Sequence, residues 1–113
     1  MSARNPLLAA PPYQVEQTLK TLGGNLRTAR LRRNLSIEDA AAKIGVGRHV
    51  VADAEKGKPS TGIAIYAGLL WAFGLVEQLA QVADPDFDEE GRLLARRDER
   101  INAGSTKALD NDF

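Results

Sequence analysis

Apolar residues recur along most of the chain at helical spacing. Val15, Leu19, Leu22, Leu26 and Ala29 fall at steps of four and three and predict a helix from about Gln14 to Arg33. Gly23-Gly24 is its weak point, since two glycines cost about 2 kcal/mol against alanine in a helix interior. Asn34 suits a left-handed stop. Ser36 opens the next helix: its hydroxyl can accept from the Asp39 N–H, and Asp39 puts negative charge in the first turn. The pattern then predicts Ile37–Ile44, thin at Ala40-Ala41-Ala42, and a turn at Gly45-Val46-Gly47. A helix Arg48–Lys56 follows, with Val51 and Ala54 inward. Gly57 ends it, and Lys58-Pro59 forbids continuation.

Ile63–Phe73 is apolar nearly all round and reads as the central core helix, Tyr66 and Trp71 included. Gly74 stops it, and Leu75–Ala83 reads as another helix. Asp84-Pro85-Asp86 closes the globular pattern. Phe87–Ile101 has the composition of a charged sixth helix, and Asn102–Phe113 reads as disordered when alone. Pro6, Pro11 and Pro12 argue against helix over residues 1–12. The organisation predicted is a flexible arm at 1–13, an all-α domain at 14–83 and a charged helix and tail at 84–113.

With 113 residues, 43% hydrophobic, 27% charged and 5% aromatic, the chain fits one soluble helical domain with tails. Absence of Cys excludes disulfides, a thiolate zinc site and a thiol nucleophile, and a single His argues against a multi-histidine metal site. No apolar run has membrane-span length, and residues 1–12 lack the order of a signal peptide. These features predict a cytoplasmic protein without a membrane partner. With no nucleophile–base pair, metal cluster or phosphate loop, neither enzyme activity nor a cofactor is expected.

The formal net charge is zero, which weighs against a nucleic-acid partner until it is divided by segment. Residues 20–58 carry nine basic and four acidic side chains, a net of +5. Residues 84–113 carry five basic and nine acidic ones, a net of −4. The acidic tail should lie away from any phosphate backbone.

Two short helices joined by a three-residue glycine-containing turn are a helix-turn-helix signature, here spanning Ser36 to Lys56. Ala41 sits at the helix crossing, where bulk would push the helices apart. Gly45 permits the left-handed turn, and Val46 and Val51 bury beneath it. The run LRTARLRRNLSIEDAAAKIGVGRHVVADAEKGKPS resembles the Xre/Cro-type helix-turn-helix domain of phage repressors, with the likeness extending over about Leu22 to Val82. The resemblance implies a five-helix, lambda-repressor-like domain. It places the family's first-helix arginine on Arg30 and the glutamate of its recognition helix on Glu55, a buried ion pair. Downstream, LLWAFGLVEQLAQVADPDFDEEGRLLARR is similar to the end of HipB-type antitoxins paired with HipA-type kinase toxins. Leu70 to Leu75, Ala83 to Pro85 and Glu89 to Arg97 follow that order. This implies a homodimer that binds double-stranded operator DNA, represses its own operon and holds a kinase-fold toxin, with the last helices as dimer seam.

The resemblance puts base contacts on Arg48, His49 and Asp53, with Gly47 and Val50 beside them. Phosphate contacts fall to the Ser36 helix start and to Lys56 and Lys58. Two positions depart from the family: Gly47 replaces the usual Ser or Thr, and Ile37 the usual Gln. Asp53 stands where a base or amide is commoner and can accept only from cytosine or adenine amino groups. His49 lacks a partner that would make it a metal ligand or catalytic base. The carboxylates at 84–90 lack the glycine and terminal glutamate of a calcium loop and read as a solvated helix start. Two other roles compete: a stand-alone regulator of the same class, and an interaction module whose acidic tail folds on a partner.

Overall fold

The computed structural model describes residues 5–105, and the predicted disorder of the tail lies outside them from residue 106 onward. Seven α-helices and one 3-10 turn make up the described chain, with no strand among these residues. It divides into two compact units, Met1–Leu79 and Ala80–Phe113.

In the first unit, α1 is a single turn, Pro6–Ala9. The prediction of no helix here fails because Pro6 sits at the start, where its missing N–H costs nothing, and the Asn5 side chain accepts from the Leu7 N–H. The long α2, Tyr13–Arg32, runs unbroken through Gly23-Gly24. Asn34 does adopt a left-handed conformation after it, at φ 58°. The next two helices are α3, Ile37–Ile44, and α4, Arg48–Glu55. Then come α5, Ile63–Ala72, and the one-turn α6, Val76–Leu79.

Leu26, Ala40, Ala41, Val51, Ala54, Tyr66, Leu69, Leu70 and Phe73 form the buried core, with Leu22, Ile44, Val46 and Leu75 among those packed on it. Three elements, α2, α3 and α5, therefore contribute inward faces around α4, and the alanines of α3 allow that close approach. Trp71 is not among them: it is 61% exposed, and Ile63 is 66% exposed. A helix apolar on every side cannot bury every side within one small layer, so α5 keeps Tyr66, Leu69 and Leu70 inside and leaves Trp71 in solvent. The Tyr66 hydroxyl is buried without a hydrogen-bond partner.

In the second unit, the predicted Leu75–Ala83 helix has already ended: Ala83 is left-handed, at φ 59°, immediately before Asp84-Pro85. Asp84, directly before Pro85, is extended at φ −58° and ψ 125°, as a residue preceding proline is expected to be. The 3-10 turn Pro85–Phe87 is capped by the Asp84 carboxylate, which accepts from the Asp86 N–H. The final helix, α7, spans Glu89–Ser105, starting after Phe87 and continuing past Ile101. Asp88 accepts from the Gly91 N–H at its start.

Candidate nucleic-acid interface

The geometry of the α3–turn–α4 element starts from local chemistry. At the α3 start, the Ser36 hydroxyl accepts from the Asp39 N–H at 2.9 Å, and the Asp39 carboxylate accepts from the Ser36 N–H at 3.0 Å. This reciprocal box satisfies two orphan donors of the first turn. It also holds the Asp39 carboxyl below the ordinary aspartate range, first through the Ser36 N–H and then through its hydroxyl. Gly45 closes α3 at φ 72°, and the Val46 N–H donates to the Ala41 carbonyl. Gly47 then opens α4. A Cβ there would lie 3.1 Å from the His49 imidazole, so glycine leaves room for that ring.

Two contacts fasten α4 to α2. Arg30 and Glu55 form a forked ion pair, Nε to Oε2 at 2.6 Å and Nη2 to Oε1 at 3.0 Å, and each side chain is only 7% exposed. Arg30 Nη1 also donates to the Leu35 carbonyl at 2.9 Å. The hydrogen bond to Glu55 raises the Arg30 guanidinium above the ordinary arginine value, against the opposing effect of burial. Gly23 supplies the second contact, with its α-carbon lying against the Ala54 and Glu55 carbonyls.

With Val51 and Ala54 buried beneath it, α4 leaves Arg48 and His49 exposed and Val50 and Asp53 half-buried. Arg48 Nε donates to Glu38 Oε2 at 2.8 Å, a link from α4 to α3, and this contact lowers the Glu38 carboxyl from its ordinary value. Lys58 Nζ stands 3.2 Å from Asp53 Oδ1. Lys56 is exposed at the α4 exit. His49, Val50 and Asp53 line a cleft of about 230 Å³ with Ser60, Thr61, Gly62 and Ile65. The candidate residues therefore gather around α4, except Ser36, whose hydroxyl is committed to its own helix.

Sequence reading missed Glu38 and the 60–62 loop. Glu38 stands ten positions before Arg48, and only the turn angle brings the two together. The basic excess is also placed differently from the expectation. Its surplus of five comes from Lys20, Arg27, Arg30, Arg32 and Arg33, whereas residues 36–58 carry four basic and four acidic side chains. Of those five, Arg30 is committed to Glu55, and Arg33 lies over the Phe73 ring at 5.8 Å.

Residues 26–67 match the helix-turn-helix family model, a span containing both helices of the motif, the turn, Arg30 and Glu55. No curated protein and no solved structure matches the chain. Residues 26–67 are thus similar to helix-turn-helix domains, a class that binds DNA in transcription regulation. No helix among the described residues is long and apolar enough to cross a membrane.

Proposed function

We propose that this protein is a sequence-specific transcriptional repressor that binds operator DNA as a homodimer and serves as the antitoxin of a type II operon, holding a HipA-type kinase toxin. The observation carrying the DNA-binding part is the face of α4: Arg48, His49 and Asp53 point away from a core that pins Val51 and Ala54. The arrangement suits insertion of α4 into a major groove, with Arg48 offered to guanine and Asp53 to a cytosine amino group. Lys56 and Lys58 at the helix exit suit phosphate contact. Exposed Ile63 and Trp71 on α5 support a self-association seam. The toxin partner rests on the resemblance of residues 70–97 to HipB-type antitoxins.

A salt-dependent gel shift on DNA upstream of the protein's own gene tests this reading. Wild type is expected to prefer that DNA over random duplex, and Arg48→Ala to lose about 1–3 kcal/mol of that preference. Equal binding of both proteins to both DNAs sinks it. Co-purification with the neighbouring gene's product tests the antitoxin role. A pure interaction module draws support from α7, where Leu93, Leu94 and Ile101 are exposed. That reading requires partner capture with no DNA preference at all.

A further inference from the structure

Two of the three candidate DNA-contacting cations on this surface, Arg48 and Lys58 but not the exposed Lys56, are each held by a carboxylate of that same surface. Arg48 is held by Glu38 and Lys58 by Asp53. Fold stability does not explain these pairs. Arg48 and Glu38 are 59% and 63% exposed and Lys58 and Asp53 50% and 37%, and exposed ion pairs contribute little to folding. With Glu55 buried against Arg30, the surface over residues 36–58 carries four basic and three acidic side chains, a net of only +1. A helix-turn-helix that reads DNA through a nearly neutral surface must draw little from the sequence-independent phosphate term, which elsewhere supplies most non-specific binding.

Resting on the DNA-binding reading above, we propose that Glu38 and Asp53 are specificity-determining residues that suppress binding to non-cognate DNA. On any duplex, a phosphate that approaches Arg48 or Lys58 must displace a carboxylate and then sit beside it. That cost is independent of sequence and falls on every random stretch. Base readout escapes it. Glu38 engages Arg48 through Nε, while the terminal amino groups are available in type to the O6 and N7 of guanine. Asp53 can exchange Lys58 for a cytosine amino group, and this exchange releases the lysine to a phosphate. The cognate site therefore recovers what random DNA forfeits.

The test uses the full chain and a pool of random-sequence duplexes, titrated over a series of salt concentrations. Glu38→Gln and Asp53→Asn are each expected to bind the pool about three- to tenfold more tightly at low salt. Each should steepen the dependence of log affinity on log salt by about one. Selection from the same pool with wild type yields an enriched site, and the double variant should lose about tenfold or more of the wild-type preference for it. Glu16→Gln removes the same charge from an exposed pair with Lys20 on α2, and it should leave the pool affinity unchanged. Melting temperatures confirm that each variant is folded. Unchanged pool affinity and salt slope in both variants overturn the inference, as does an equal gain in Glu16→Gln, which assigns the effect to net charge. If wild type and every variant show no salt-dependent binding to any duplex, the DNA-binding reading falls and takes this inference with it.

Discussion

Gly23 and Glu55 meet backbone to backbone: a methyl on the Gly23 α-carbon would stand 2.5 Å from the Glu55 carbonyl oxygen and 2.6 Å from that of Ala54. The contact explains why a helix with good apolar periodicity tolerates glycine at its centre. It lets α2 lie against the end of α4, and the Arg30–Glu55 fork clamps the two helices about two turns further along α2.

Gly23 and Gly24 should therefore respond oppositely to the same substitution. Gly24 has open space around its α-carbon, so Gly24→Ala should stabilise by up to about 1 kcal/mol through helix propensity. Gly23→Ala forces α2 away from α4 and should cost about 1–3 kcal/mol despite the same propensity gain. Thermal melts of the two variants check this. Equal stabilisation of both would mean that the junction is not tight.

Breaking the Arg30–Glu55 pair on one side leaves the other charge buried. Arg30→Met or Glu55→Leu alone should each cost about 3–5 kcal/mol, and the double variant should recover a large part of the loss. A double-mutant cycle in urea measures the coupling. Additive losses would show that the pair does not act as a unit. The single variants should also weaken DNA binding, because they release α4 from α2.

Acid should weaken the α3 cap. The Asp39 carboxyl is held below its ordinary value in the folded chain, so ionised Asp39 stabilises the fold at neutral pH. That contribution is complete above the unfolded-state value of about 3.9 and is lost as pH falls through the depressed folded value. Asp39→Ala should therefore melt below wild type at pH 7, with the gap closing in strong acid. Ser36→Ala, which removes the other half of the box, should cost about 1 kcal/mol at neutral pH. A gap between Asp39→Ala and wild type that is independent of pH would refute the ionic part of the cap.

What the sequence determined by itself was whatever depends on neighbours within a turn or two. The Ser36 box, the left-handed Asn34, the Gly45 stop and the bounds of α3 and α4 follow from side chains reaching their own backbone, and Val51 and Ala54 follow from period. Tertiary structure decided the rest. Trp71 faces solvent because the core has room for only one side of α5. Gly23 keeps α2 intact because another helix needs its missing side chain. Glu38 joins Arg48 because the turn folds α3 onto α4, so a base-reading candidate turns out to be held by a carboxylate. The charge count shows the division most clearly. Summing residues along the chain located a basic excess near the motif, but folding buries one of those cations, Arg30, against Glu55 of α4. A formal charge belongs to the sequence, whereas its availability to a ligand depends on which groups the fold places within about 4 Å of it.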